Sequence, residues 1–301
     1  MSNGSLFNQF YYVIKANFCP NLNKHSYKKQ HHKKVKIASY SYRGGLISFS
    51  SNFSKYLKKK FGVRFIKEIQ QDHIESFFND KLKDGCSKRT LMQYKSYLNT
   101  LDKLILQTYF FKARLGRNVV VKDGAKEKRI LYMKDEHIDA ILELKKDTNS
   151  SALLGIEINR LFGLRAEETV SLRAKDFDLE ECKLHIFGGK NGKYRFMYLN
   201  TQEKYDLALR VREMFEDNER LIPIKAESYC TFIRRALEEL NIEEYKLGKT
   251  SNHALRKKYA IDSLELYKER GMSDEDAKLK ISREFGHNRI SVIEDSYINA
   301  K

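Results

Sequence analysis

The spacing of apolar residues along this chain is helical except for a linker and one pair of strand-like segments, and that pair sets the fold class. From Leu46 to about Gly116, and again from about Asp135, apolar residues recur every three or four positions, as in amphipathic helices. Within the second stretch, KLHIF (183–187) and YRFMYL (194–199) flank GGKNGK, whose Asn-Gly pair favours a hairpin turn. The pattern predicts a mainly α protein with a small antiparallel β-sheet, an α+β fold.

The length of 301 residues and a break in the helical pattern predict two domains. Residues 117–130, RNVVVKDGAKEKRI, are expected to link a helical bundle over residues 45–116 to a second domain over residues 131–301. Residues 1–44 contain the dense basic run KHSYKKQHHKKVK. They are expected to form a basic extension, either an arm that contacts nucleic acid or a tail.

The net positive charge of the chain lies entirely in its N-terminal part. Residues 1–130 hold 27 Lys or Arg against 8 Asp or Glu, whereas residues 131–301 hold 30 against 32. A basic part joined to a balanced part favours binding of a polyanion, for which duplex DNA is the natural candidate; a solvated basic surface is the alternative. The residues expected to contact DNA phosphates from the bundle are Lys55, Lys58, Lys59, Lys60, Lys88, Arg89 and Lys95.

Composition also restricts the class of protein. The chain has no apolar run near the roughly 18 residues needed to cross a bilayer, and its N-terminus lacks the features of a secretory signal. We therefore expect a cytoplasmic protein. The four cysteines are far apart and form no C-x-x-C pair, which argues against a disulfide framework and a zinc site.

Six polar residues follow one another in an order that indicates a phosphate site beside a nucleophile. They are Arg165 in GLRAEETVSL, Lys190 in GGKNGK, His253 and Arg256 in HALR, His287 in FGHNR, and Tyr297 near the end. His253 and Arg256 are three residues apart and share one helix face. Two guanidinium groups can hold the nonbridging oxygens of one phosphate. A phenol, with a pKa of about 10, needs such cations nearby to act as a nucleophile at neutral pH.

Each of these motifs is weak when taken alone. Arg165 and Arg256 could be surface arginines, the lysines of the hairpin could be solvated turn residues, and Tyr297 could be a core tyrosine. The joint order of the motifs, each in a suitable predicted structural context, favours the functional interpretation.

In this order the motifs resemble the tyrosine recombinase (phage integrase) family. The resemblance covers about residues 46–301 and is strongest in GLRAEETVSLRAKDFD and after it. The family pattern has a carboxylate three residues after the arginine, matched by Glu168, and an aspartate matched by Asp176; both are expected to support the site. The family's catalytic lysine is the first lysine of a G-K-x-x-K-x-R hairpin, which is Lys190 here, with Lys193 as a DNA contact.

The resemblance implies a site-specific DNA recombinase or integrase whose two domains close around duplex DNA. Tyr297 attacks a phosphodiester to give a 3′-phosphotyrosyl link and a free 5′ hydroxyl, which then attacks the partner strand. Lys190 is the implied general acid for the departing 5′ oxygen. No nucleotide cofactor is expected, because the covalent phosphotyrosyl bond keeps the energy of the phosphodiester. No metal is expected either, because the arginines supply the positive charge at the phosphate. The implied assembly is a homotetramer on two DNA sites.

The end of the sequence departs from the family pattern. Tyr297 follows His287 by ten positions where nine are usual, so a slightly longer turn is expected at the start of the last helix. Four residues follow Tyr297, so exchange of a tail with a neighbour is not expected. Two other functions stay open: DNA relaxation by a type IB topoisomerase, and a non-catalytic DNA-binding protein that retains the phosphate site.

Overall fold

The computed structural model describes residues 4–20, 22–23, 27, 29–30, 34–124, 131–188, 194–245 and 251–298. The chain divides into two compact units, Met1–Glu127 (unit 1) and Lys128–Lys301 (unit 2). The division falls within the predicted linker. Residues 125–130 of that linker lie outside the described residues, whereas Val119, near its start, is buried in the core of unit 1.

Unit 1 is a bundle of amphipathic helices, as the apolar spacing predicts. Its helices are α1 (Leu6–Ala16), α2 (Tyr40–Phe61), α3 (Gln71–Lys83) and α4 (Lys88–Tyr109). Helix ends follow local chemistry: the Ser87 hydroxyl accepts the Thr90 N–H at 3.2 Å to start α4. Gly62, at a φ of 69°, ends α2 in the left-handed region.

The N-terminal segment differs from the predicted extension. Helix α1 packs against α2 and α4, and it contributes Leu6, Phe10, Val13 and Ile14 to the core of unit 1. Helix α2 begins before the expected boundary at residue 45. Burial of these side chains stabilises α1 on the bundle, so residues 1–44 do not form a separate extension where the structure describes them. Residues 24–26, 28 and 31–33 of the basic run lie outside the described residues.

Unit 2 is mostly helical and has a core of its own. Its helices are α5 (Asp135–Lys145), α6 (Ser151–Phe162), α7 (Ala166–Ser171), α8 (Gln202–Met214), α9 (Ala226–Glu239), α10 (Ser251–Glu269), α11 (Asp274–Glu284) and α12 (Ile290–Ile293), followed by a π-helical turn, Glu294–Ile298. Short 3-10 turns also occur, one of them Ala174–Asp176. Among the described residues, no helix has the length and apolar character needed to cross a bilayer.

A small antiparallel sheet interrupts the helices of unit 2. Strands β1 (Phe177–Asp178), β2 (Lys183–Ile186) and β3 (Arg195–Tyr198) lie in the order β1-β2-β3. Leu184 faces Met197 across β2 and β3, and both side chains are buried. The predicted α+β fold is therefore confirmed. The hairpin turn, residues 189–193, lies outside the described residues.

Candidate active site

Arg165 lies where α6 ends and α7 begins, beside a glycine that the packing requires. Gly163 ends α6 at a φ of 55°, and a Cβ there would lie 2.7 Å from the Tyr259 ring. The chain can therefore turn directly above this ring. Two residues later, the Arg165 N–H and Nη1 donate to the Glu168 carboxylate at 2.9 and 2.8 Å.

Glu168 joins Arg165 to a second arginine. Its carboxylate accepts bonds from Nη1 and Nη2 of Arg195 at 2.9 and 2.7 Å, a bidentate pair. Glu168 is only 3% exposed. Burial alone raises its pKa, but the hydrogen bonds and charge of Arg195, with the Arg165 N–H, outweigh burial and lower this pKa to about 2. Glu168 is thus an ionised, buried anchor for two guanidinium groups.

Arg256, on α10, is the most deeply buried of the three arginines, at 1% exposure. It donates from Nη1 to the Gly163 carbonyl, from Nη2 to the Phe285 carbonyl at 3.2 Å, and from Nε to the Tyr297 hydroxyl at 3.2 Å. Its guanidinium carbon lies 3.6 Å from the centroid of the Phe285 ring. Burial lowers its pKa to about 10, so the side chain stays charged at neutral pH.

The Phe285 carbonyl is a shared hydrogen-bond acceptor for Arg165 and Arg256. Nη2 of Arg165 donates to this oxygen at 3.2 Å, as does Nη2 of Arg256. The same Arg165 nitrogen lies 3.2 Å from Nε2 of His287. Gly286, at a φ of 73°, turns the chain between Phe285 and His287. Arg165, Arg195 and Arg256, called here the arginine cluster, therefore surround one end of α11.

Tyr297 is buried against this cluster. Its ring centroid lies 4.8 Å from that of Phe285 and 5.2 Å from that of His253. The residue belongs to the π-helical turn Glu294–Ile298. A π turn holds one residue more than an α turn, so this turn can accommodate the additional position between His287 and Tyr297.

His253 contacts Tyr297 from the first turn of α10 and is neutral at pH 7. Burial is the main cause that lowers its pKa, to about 4, and the positive charges of Arg256, Lys257 and Arg165 act in the same direction. A neutral imidazole has one donor and one acceptor nitrogen, so it can bond to a phosphate oxygen or to the tyrosine hydroxyl.

Asp176 lies outside this hydrogen-bonded group, in the 3-10 turn that precedes β1. Its carboxylate accepts the Arg173 N–H at 2.8 Å, and burial raises its pKa. These contacts indicate that Asp176 shapes the turn. Lys190 and Lys193 lie outside the described residues, so their roles stay predictions.

The basic residues of unit 1 that are expected to bind DNA differ in exposure and in whether they already form ion pairs. Lys55, Lys58 and Lys59 share one face of α2 and are exposed. Lys60 donates to Asp80 at 2.7 Å, and Lys88 to Asp123 at 2.6 Å. Arg89 is exposed at the start of α4, and Lys95 is partly buried. Of these candidate phosphate contacts, the three lysines on the α2 face are the most accessible.

Sequence reasoning missed the role of Arg195. It marks the end of the predicted hairpin motif, but its partner Glu168 is 27 residues away, and its Nε donates to the Glu284 carbonyl at 2.7 Å. The feature that marks Arg195 is a basic side chain at a strand start that is only 9% exposed. Its burial is visible in the fold but not in the sequence.

One group within the described residues has the spacing of a metal site. Ligand atoms of Asp178, Glu181 and His185 lie within 4.8 Å of one another. Asp178 accepts the Glu181 N–H at 2.8 Å, and Nδ1 of His185 lies 2.6 Å from the Tyr194 hydroxyl. These hydrogen bonds give the three residues structural roles in a turn and a strand pair, so their proximity does not require a metal ion.

Comparison with known proteins identifies a matching family and several similar structures. Residues 116–262 match the family described as Integrase. A sequence search of curated proteins gave no match. The Tn1549 transposon integrase in complex with circular intermediate DNA has the same fold, at 16% identity, a TM-score of 0.61, and coverage of 99% of this chain and 98% of that chain.

A lambda integrase dimer bound to a COC′ core site is similar over 89% of this chain and 94% of that chain, at 14% identity and a TM-score of 0.60. A lambda integrase tetramer bound to a Holliday junction is similar over 88% and 73%, at 14% identity and a TM-score of 0.60. These likenesses extend over both units of the chain. The chain therefore matches the Integrase family over residues 116–262 and has the fold of these integrases.

Proposed function

We propose that this recombinase cuts and rejoins DNA with Tyr297 as its nucleophile. The observation that carries the proposal is the 3.2 Å hydrogen bond from Nε of Arg256 to the Tyr297 hydroxyl. It holds the phenol oxygen beside a buried cation within the same chain. A cation at this position stabilises the phenolate that must form during attack.

In the proposed step the Tyr297 oxygen attacks the phosphorus atom, and the bond from phosphorus to the 5′ oxygen breaks. The phenol proton leaves the nucleophile, and the departing 5′ oxygen takes up a proton. Arg165 and Arg256 hold the nonbridging oxygens, whose negative charge grows in the transition state. The resulting 3′-phosphotyrosyl bond keeps the energy of the phosphodiester for the return attack by a 5′ hydroxyl.

The two histidines and the two hairpin lysines have distinct proposed roles. His253 is neutral, so it can bond to the phosphate or accept the phenol proton; the negative charge of a bound phosphodiester raises its pKa and favours that transfer. His287 orients Arg165 and contacts the same phosphate. Lys190 is the general acid that protonates the 5′ oxygen, and Lys193 contacts the DNA backbone.

The partners follow from charge and from the similar structures. Unit 1 holds the excess of basic residues, and the similar integrases are complexes with DNA, including a tetramer on a Holliday junction. We infer that this chain binds duplex DNA through unit 1 and acts as a tetramer on two sites. A cytoplasmic location suits an enzyme that acts on DNA, and the described helices include none able to cross a membrane.

Covalent trapping tests the proposal. Wild type, Tyr297→Phe and the control Tyr132→Phe, whose side chain is exposed, are incubated with nicked duplexes made from DNA that flanks the gene. Diffusion of the short 5′ fragment prevents religation, so the adduct accumulates and is counted on a denaturing gel. We expect adducts with wild type and Tyr132→Phe and none with Tyr297→Phe. An adduct with Tyr297→Phe contradicts the assignment.

The alternative functions give different results. A type IB topoisomerase relaxes supercoiled plasmids of unrelated sequence, whereas a recombinase joins two copies of a specific site. A non-catalytic DNA-binding protein binds the duplex equally well with or without the Tyr297 hydroxyl and forms no covalent product.

A further inference from the structure

A partly buried carboxylate lies next to the arginine cluster. Glu284, at the end of α11, accepts hydrogen bonds from two tyrosines of α10: Tyr259 at 3.0 Å and Tyr267 at 2.5 Å. Both rings are almost fully buried, at 3% and 1% exposure. Each carboxylate oxygen therefore has its own fixed donor, which restricts the rotation of the Glu284 side chain.

The backbone next to this carboxylate holds the arginine cluster. The Glu284 carbonyl accepts Nε of Arg195 at 2.7 Å, and the next carbonyl, that of Phe285, accepts Arg165 and Arg256 at 3.2 Å each. The last carbonyls of a helix lack intrahelical partners and carry partial negative charge. They are therefore suited to guanidinium donors, and two consecutive peptides set the direction of three arginines.

Tyr259 contacts the site from a second side. Its ring packs under Gly163, whose carbonyl accepts Nη1 of Arg256. The ring also lies 5.8 Å from that of Phe285, centroid to centroid. A displacement of Tyr259 therefore moves both carbonyls that bind Arg256.

The buried ammonium group of Lys204 lies beside Glu284 and Tyr259. Nζ of Lys204, a residue 7% exposed, lies 5.3 Å from the Tyr259 ring centroid and donates to Asn200 Oδ1 at 3.2 Å. Burial lowers its pKa to about 8, and the charge of Glu284 opposes that change. Burial of a charge next to an opposite charge is less costly than burial of either alone.

We propose that Glu284, held by Tyr259 and Tyr267, is a positioning residue that fixes the arginine cluster for attack on the phosphate. The inference rests on the proposed function for its effect on cleavage. Glu284 itself does not touch DNA in this account. Loss of its charge or of the tyrosine hydroxyls releases the end of α11, so the arginines lose their common direction.

The test combines a measurement without DNA and one with DNA. Wild type, Glu284→Gln, Tyr267→Phe and the exposed control Glu265→Gln are labelled with ¹⁵N-arginine, and the Nε–H resonances are recorded. Arg195→Lys and Arg256→Lys identify the two signals by their disappearance. The same proteins then cleave the nicked duplex in single-turnover reactions at several protein concentrations, which separates duplex affinity from the cleavage rate.

We expect Glu284→Gln and Tyr267→Phe to shift or broaden both arginine signals and to slow cleavage on the order of tenfold to a hundredfold at saturation, with duplex affinity unchanged. Glu265→Gln should match wild type. Unchanged arginine signals, or altered signals with wild-type cleavage, overturn the proposal. Altered signals together with cleavage that does not need Tyr297 support Glu284 as the residue that positions the cluster and refute the nucleophile assignment instead.

Discussion

Unit 1 and unit 2 use positive charge in opposite ways. In unit 1, Lys55, Lys58 and Lys59 point outward from α2, and even the paired Lys60 keeps a side chain 42% exposed. In unit 2, Arg195 is 9% and Arg256 only 1% exposed, and their donors bond to carbonyls, a carboxylate and a phenol. Exposed charges contribute long-range attraction to a polyanion, whereas buried, oriented charges stabilise one geometry.

This contrast predicts a division of effects. Substitutions on the surface of unit 1 should change DNA affinity and its salt dependence, with little change in the cleavage rate of bound DNA. Substitutions in the arginine cluster should change that rate, with smaller changes in affinity.

The largest expected effect concerns Arg165 and Arg256. Replacement of either by Ala removes oriented donors from the transition state, so the cleavage rate at saturating duplex should fall by roughly 10²- to 10³-fold. Single-turnover adduct formation measures the rate, and the exposed Arg234→Ala in the same unit is the control. If the rate at saturation is unchanged and only affinity falls, the buried arginines act like those of a binding surface.

The next effect separates the two hairpin lysines. Lys190→Ala should slow cleavage by about 10²-fold, because general acid catalysis of the leaving group is lost. A substrate with sulfur in place of the 5′ bridging oxygen should restore the rate, since a thiolate leaves without a proton. Lys193→Ala should show neither the slow step nor the rescue. Rescue of Lys193→Ala instead of Lys190→Ala would exchange the two assignments.

Glu168→Gln tests the buried charge network through stability. Because the pKa of Glu168 is lowered from 4.5 to about 2, its ionised form stabilises the fold above about pH 4.5, and this contribution is lost as pH falls towards 2. The linkage corresponds to on the order of 3 kcal/mol at pH 7.

Urea unfolding at pH 7 and pH 3 measures this difference. The free energy of unfolding of wild type should clearly exceed that of Glu168→Gln at pH 7, and the difference should be smaller at pH 3. The neighbouring, exposed Glu167→Gln should behave as wild type at both values. A gap that is independent of pH contradicts the assignment of a lowered pKa to Glu168.

The smallest expected effect is on unit 1. Replacement of the three exposed α2 lysines by Gln should weaken duplex binding and reduce the slope of log K against log salt by up to ~0.9 per lysine that contacts a phosphate. Titrations at several salt concentrations measure this slope. The matched control replaces three exposed lysines of unit 2: Lys146, Lys175 and Lys225. An equal change in the control would show that total charge, rather than the α2 face, determines binding.

Local sequence rules predicted most of the elements. Ser87 and Ser273 do cap the starts of α4 and α11, and the segments around Asn191-Gly192 do form paired strands. Helix α1 escaped prediction because the basic run beside it dominated the composition of residues 1–44. Its four core side chains, at positions 6, 10, 13 and 14, do have the spacing of an amphipathic helix.

The sequence motifs name candidate site residues but not the contacts between them. The family resemblance named both Arg256 and Tyr297, 41 residues apart, and the structure joins them by one hydrogen bond. Arg195 and Glu284 act through backbone carbonyls and long-range pairs, which no spacing rule encodes. The spacing of ten positions from His287 to Tyr297 likewise does not predict the π-helical turn, since the additional residue could have entered the preceding loop.

The most direct test of the central claim is to identify the residue that carries DNA. The trapped adduct is digested with nuclease and trypsin, and the peptides are sequenced by mass spectrometry. Cleavage after Arg289 releases residues 290–301, in which Tyr297 is the only tyrosine. We predict a nucleotide attached to Tyr297 in this peptide. A nucleotide on any other residue, with the peptide 290–301 unmodified, would contradict the account.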